Sequence, residues 1–326
     1  MARGFQRYEL LSDPKARLPL LSSLTRAGIL ETQPYAQADA VRRRLASHMP
    51  SLLATDAPLF LYLHVLDPHD PLLLHPDLPA DPGSEGLDPL DRLYRDETRF
   101  ALREITGMIE MLKQTPRWER TLLVVLSDHG EMMPSDGHQA PVEGDDGQPK
   151  NYGHGFALYE SLVRVPLVIR PPGGLPAHRE VDALASHVDL HNTIVELLGI
   201  SLEPLGHDRV SLAGWLAPTP GDVPRREEAV SGSIGKGPRQ RALRVDGFKL
   251  IDFPDGERLP ELYDLARDPG ETRSLHAVRP AEARERRDRL QWIWAQLGES
   301  PESAPVRLTP EMQEQLEALG YIDGAE

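Results

Sequence analysis

The sequence predicts an α/β protein, with a mostly parallel sheet covered by helices and a small antiparallel subdomain toward the C-terminus. Three observations carry this reading. The apolar runs Pro58–Leu63 and Thr121–Leu126 do not alternate with polar residues, which suits strands buried on both faces. A helical stripe lies between them, as in a crossover between parallel strands. After Ala229 the pattern changes to short segments joined by turn residues.

Taken in order, residues 1–57 are polar and Arg-rich, with a helix around Ala36–Leu53 that spaces Val41, Leu45, Met49 and Leu52 at helical intervals. Pro58–Leu63 is the first predicted strand and ends in the polar group His64, Asp67, Pro68 and His69. A Pro- and Asp-rich loop leads to a helix over Tyr94–Lys113, with Phe100, Leu102, Ile105, Ile109 and Leu112 on its stripe. Thr121–Leu126 is the second strand and stops at Ser127-Asp128-His129-Gly130-Glu131. A long Gly-, Pro- and Asp-rich loop, Met132–Tyr152, precedes Gly153-His154-Gly155. Val163–Ile169 is a further strand, ended by Pro171-Pro172-Gly173-Gly174, and a helix runs toward Leu198 with Gly199 at its end. Ala229–Ser231, Arg241–Asp246 and Phe248–Asp252 are short strands, followed by a helix over Pro280–Leu297. The predicted division is a core over residues 1–213 and a C-terminal subdomain over 229–326.

The chain has 326 residues, ample for a large core. A net charge of -15 disfavours nucleic acid and anionic lipid, so an anionic substrate requires a local positive centre, such as a bound metal. Zero cysteines remove disulfides, thiolate metal sites and Cys nucleophiles together. No stretch approaches the roughly 20 apolar residues of a membrane span, and Met1–Glu9 has no apolar h-region. Localisation is left open, because a missing N-terminal segment could carry a leader.

Ligands in open α/β sheets collect beyond the carboxyl ends of the strands, where Asp128 and His129 fall. Adjacent oxygen and nitrogen donors suit a divalent ion such as Zn or Mn; Asp128 as the cap of a following helix is the competing reading. Pro68 turns the chain so that His69 stands at a rim, able to donate to a tetrahedral anion or protonate a leaving oxygen, or to be an idle loop residue. His64, nearer the strand, reads as a core histidine. His154 has glycine neighbours that let ring and backbone approach a ligand, and a simple turn fits equally. His187 and Asp189 read as structural.

Taken jointly, Phe60–Pro71, Ser127–Glu131, His154–Glu160 with Arg164–Leu167, Ser186–Leu190, Leu262–Glu271 and Leu316–Ile322 closely resemble, in the same order, the motifs of the sulfatases of the alkaline phosphatase superfamily. The resemblance implies helices around a mostly parallel sheet (alkaline phosphatase-like), a divalent metal (Ca, Mn, Zn or Mg), and hydrolysis of a sulfate or phosphate ester of a small molecule or glycan. It implies metal ligation by Asp128 and His129 and a catalytic role for His69, against the substrate's anionic oxygens or leaving group. It implies a catalytic role for His154 too, within one residue of where many sulfatases place a lysine. Many sulfatases carry Asn at the position of His129; the Asp-His form is commoner in relatives acting on phosphate and phosphonate esters, which makes a phosphoester or phosphonate hydrolase, or a phospho-group transferase, the alternative.

The family's N-terminal strand with two further acidic metal ligands, and its C/S-x-P-x-R nucleophile motif, have no counterpart at the start of this sequence. Ser303-Ala304-Pro305-Val306-Arg307 matches the Ser form, but it follows nearly every other motif and reads as a chance match. The resemblance therefore implies a chain lacking an N-terminal segment, weakly active or inactive alone, with a non-catalytic remnant binding an anion or partner as a further alternative.

Overall fold

The computed structural model describes residues 36–69, 72–139, 151–175, 178–201, 210–217, 219, 223–233, 238–256 and 258–297. Ser303 and Leu316–Ile322 lie outside them, as does much of the loop before Tyr152. The chain forms two compact units, Met1–Pro116 with Ala304–Glu326, and Arg117–Ser303.

In the first unit, α1 (Ala38–Leu52) packs on α2 (Pro89–Lys113) through Val41, Leu45 and Met108, flanked by Met49, Leu52, Val65, Ile105 and Met111. Helix α2 starts five residues before the predicted Tyr94, because Asp88 caps the Leu90 N–H at 2.9 Å and Pro89 supplies the preset φ of a first helical residue. Its buried face is Phe100, Ala101, Glu104 and Met108, and Leu102 of the predicted stripe is exposed. The face is rotated because buried acids hold part of it: Arg42 and Arg103 pair with Glu104, and His75 with Glu97.

Pro58–Leu63 forms no strand. The predicted element fails because a strand requires a ladder partner, none pairs with it among the described residues, and Pro58 cannot donate. The side chains from Leu59 to Leu63 are exposed, Phe60 by 71%. His64 is exposed as well, a correction to its expected core position that follows from the same absence of a covering layer.

In the second unit, β1 (Leu123–Leu126) pairs with β2 (Leu167–Arg170) in register Leu123↔Arg170 to Leu126↔Leu167. This ladder is antiparallel, not parallel, and Leu126 and Val168 are exposed, so a parallel sheet is not present among the described residues. Unbroken hydrophobicity specifies an expected burial and leaves strand direction open. The predicted strand Val163–Ile169 begins later, because Glu160–Val163 is a single helical turn, α3. Helix α4 (Asp189–Leu197) ends before Gly199, whose positive φ of 62° closes it.

The C-terminal sheet is antiparallel, as predicted, and holds the three predicted strands, β3 (Glu228–Ser233), β4 (Gln240–Val245) and β5 (Phe248–Asp252), followed in spatial order by a fourth that was not predicted, β6 (Glu261–Asp264). Asp246 and Gly247 both take positive φ in the two-residue turn between β4 and β5. Alternate residues serve opposite faces. Leu243, Leu250 and Leu262 pack with Ala283 and Leu290 of α5 (Pro280–Leu297). On the other face Ala242, Ile251 and Tyr263 pack with Met132, Phe156–Tyr159 and Leu162. The segments around Glu131 and His154 are thereby built on this sheet.

Candidate active site

The loop after β1 is held by backbone contacts. Gly130 donates to Leu162 O at 2.8 Å, and an added Cβ there would stand 2.0 Å from Ser161 O, so only glycine permits the approach. Met132 and Gly153 exchange two backbone hydrogen bonds, 3.2 and 3.0 Å, and Gly153 has φ 110°. This bridge sets Glu131, just before Met132, close to His154, just after Gly153.

The Asp128 side chain is 62% exposed, and its Oδ2 lies 3.8 Å from His129 Nε2. Asp128 Oδ1 accepts the His129 backbone N–H at 2.9 Å, and Ser127 Oγ donates to His129 O at 2.6 Å. His129 Nδ1 is 2.8 Å from Gly130 O; a carbonyl only accepts, so Nδ1 carries a hydrogen, and in the neutral ring Nε2 carries the lone pair. The His129 ring lies against that of His154 in a tilted arrangement, centroids 4.1 Å apart and planes inclined by 35°. His154 Nδ1 lies 3.1 Å from both carboxylate oxygens of Glu131, whose side chain is 5% exposed.

Behind this group, the C-terminal sheet grips the segment after His154. Gln240 Nε2 donates to Phe156 O at 2.6 Å. Lys249 Nζ, buried, bridges Glu271 at 3.0 Å and Glu160 at 3.2 Å, and Arg244 reaches Glu160 at 2.8 Å. Glu271 also accepts the Glu160 backbone N–H. Burial pushes the Glu271 carboxyl above its ordinary range, against the pull of the Lys249 ammonium. Tyr159, stacked on His138 at 3.8 Å, and Tyr263 both donate to Glu261.

Of the four residues singled out from sequence, the structure brings Asp128, His129 and His154 together. His69 belongs to the other unit. Its backbone N–H donates to Leu66 O at 2.8 Å, and the surrounding loop is pinned at two points. Asp67 Oδ2 accepts the Ala38 N–H of α1 at 2.8 Å, and Glu97 Oε1 of α2 accepts the Leu73 N–H at 2.6 Å. Burial, then the neighbouring Glu97 charge, pushes the Asp67 carboxyl up to about 7. Glu97 is raised by burial too, and its Oε2 lies 3.1 Å from His75 Nε2, whose ring stacks on Phe100. Asp189, by contrast, is structural: it accepts from Ser186 N at 2.9 Å and pairs, buried, with Arg226. Glu131 is the site residue that sequence reasoning missed; its position three residues past Asp128, in the same loop, was the available signal.

Asp128 and His129 fit a divalent ion as far as two donors go. Their 3.8 Å separation is close to the roughly 3.4 Å edge of a tetrahedron with bonds of about 2.1 Å. The His129 tautomer also leaves the lone pair on the nitrogen that faces Asp128. Among the described residues, however, no group of three or more His, Asp or Glu gathers to complete an ion's shell. No described helix is long and apolar enough to cross a membrane.

Residues 39–200 match the family model "Sulfatase". The sulfatase YidJ of Escherichia coli K12 is 32% identical over 203 residues, covering 61% of this chain and 36% of the relative. An N-acetylgalactosamine-6-O-sulfatase of Bacteroides thetaiotaomicron is 24% identical over 285 residues, covering 78% and 50%. Among solved structures, a 2-O GAG sulfatase superposes with a TM-score of 0.52 at 22% identity, covering 68% of this chain and 46% of the other, which relates the folds. The chain spans between about a third and a half of the length of each of these proteins.

Proposed function

The chain belongs to the sulfatase family, and from that premise we propose that it serves metal-dependent hydrolysis of a sulfate ester, with Asp128 and His129 as metal ligands. The observation that carries the proposal is the adjacency of a cation-suited pair, Asp128 Oδ2 and His129 Nε2, to the His154 imidazole tilted against the His129 ring. A divalent ion there would polarise a sulfuryl oxygen as a Lewis acid and offset the chain's net charge of -15 toward an anionic substrate. Zn or Mn suits the mixed oxygen and nitrogen donors better than Ca or Mg.

The protein's own groups then divide the work. Asp128 and His129 would hold the ion, and the ion's positive charge would supply the attraction for the substrate's anionic end. His154 takes a hydrogen bond at Nε2 from the substrate or from water, while Nδ1 stays engaged with Glu131. For His69, which belongs to the other unit, the role proposed is the one the resemblance implies, a donor toward an ester's anionic oxygens or leaving group. The described residues provide binding and orientation, and two metal donors fall short of the four or more that hold an ion tightly. A sulfated glycan is the proposed substrate class, in keeping with the glycan-directed relatives.

The test is hydrolysis of p-nitrophenyl sulfate and p-nitrophenyl phosphate with added Mn²⁺ or Zn²⁺, beside Asp128→Ala. Slow sulfate turnover that needs the ion and disappears with Asp128 supports the proposal. A phosphate rate above the sulfate rate favours the phosphoester alternative, to which the His129 side chain points. Absence of both turnover and ion binding leaves a non-catalytic anion-binding remnant.

A further inference from the structure

We propose that Glu131 is a positioning residue that locks His154 in the Nδ1–H tautomer, so that the ring offers the lone pair of Nε2 as its acceptor on the side away from the carboxylate. The inference rests on the reading of His154 as a substrate-facing residue. The geometry of the tautomer stands independently of any activity.

Glu131 is a buried carboxylate with both oxygens 3.1 Å from one ring nitrogen. Two acceptor oxygens around a bare nitrogen would set lone pairs against lone pair; around an N–H they form a shared hydrogen bond. The arrangement is fixed from below. The Met132–Gly153 bridge sets the two residues on neighbouring segments, and the conformation of Gly153, φ 110°, turns the chain into His154. Met132 and Phe156, on either side of the pair, are anchored in the core formed with the C-terminal sheet. His129 is held the same way by a different acceptor, the Gly130 carbonyl. In their neutral forms the two facing rings thus each give their hydrogen to the protein through Nδ1 and keep the lone pair at Nε2. A neutral imidazole in water prefers the opposite tautomer, so an acceptor at Nδ1 is needed to hold this one.

The experiment is ring ¹⁵N NMR of the full chain at a fixed pH where His154 is neutral, for the wild type, Glu131→Gln and Glu131→Ala. The wild type should show His154 Nδ1 as the protonated, pyrrole-like nitrogen and Nε2 as the bare one. Glu131→Gln retains an amide oxygen that accepts from Nδ1–H and should preserve that pattern. In Glu131→Ala the two nitrogens should exchange their shifts as the ring reverts to Nε2–H, with His129 unchanged as an internal control. A wild-type His154 protonated at Nε2 overturns the proposal, as does an Ala variant that keeps the Nδ1–H pattern with unaltered near-UV circular dichroism. Should the Ala variant fail to fold, the wild-type and Gln spectra still decide. A confirmed tautomer in a wild type that turns over no sulfate ester, or sulfate turnover unchanged in Glu131→Ala, would count against the role of His154 in the reaction and leave the role of Glu131 standing.

Discussion

Pro58–His69 and Thr121–His129 are two versions of one sequence signal, an apolar run followed by an acid and an imidazole, and the structure treats them in opposite ways. The second run acquires a ladder partner at β2, and its acid is left open to solvent beside a histidine. The first acquires no ladder among the described residues and exposes its apolar side chains, while its acid, Asp67, is buried against the N-terminus of α1. An exposed carboxylate is available to a cation; a buried one that caps a helix has a structural task. The pattern "strand, then Asp and His" therefore identifies where polar chemistry can stand, and the surroundings of the acid decide whether it does.

The largest effect that would break this contrast is in pH. Asp67 is pushed up to about 7 in the folded chain, from 3.8, by burial and then by Glu97. Between those values the folded state keeps a proton that the unfolded state has shed. The stability associated with the group is thus fully present below about pH 4 and is lost as pH rises through about 7. Roughly 4 kcal/mol follows from about three pKa units, with the raised Glu97 acting in the same direction. Urea unfolding at several pH values should show this slope, flattened in Asp67→Asn; an equal slope in both proteins would contradict the assignment.

Next in size is the packing difference. Met132, fully buried beneath the site, should lose about 3 kcal/mol on Met132→Ala, whereas Leu61→Ala in the exposed run should stay within about 0.5 kcal/mol. Comparable losses by denaturant titration would mean that the 58–63 run is covered in solution. Smaller still is Gly130→Ala, where the Cβ meets Ser161 O at 2.0 Å. A cost of about 2 kcal/mol is expected, with a displaced His129 ring visible as a changed ¹⁵N shift; a neutral variant would show that the loop and α3 part easily.

Much of this was legible in sequence where a local cause sufficed. The predicted strands Arg241–Asp246 and Phe248–Asp252 form with Asp246 taken up by the turn between them, the Pro280–Leu297 helix appears at its predicted bounds, and Gly199 ends a helix as expected. The direction of the β1–β2 ladder and the exposure of Pro58–Leu63 were not legible, because both depend on which segments are present to pair and cover. Within the candidate site, the loop after β1 was found from its polar stop. The role of Glu131 was hidden, because its partner His154 is 23 residues away and meets it only through the Met132–Gly153 bridge.

The central claim, that Asp128 and His129 hold a divalent cation while the superficially similar Asp67–His69 stretch does not, is tested most directly by Mn²⁺ titration followed through paramagnetic broadening of the histidine ring signals. The His129 and His154 signals should broaden saturably at ion concentrations of about 0.1 to 1 mM, as for a site with few ligands, with His75 beside Glu97 unaffected and the response abolished in Asp128→Ala. Broadening of His75 ahead of His129, or a His129 response that survives Asp128→Ala, would contradict it.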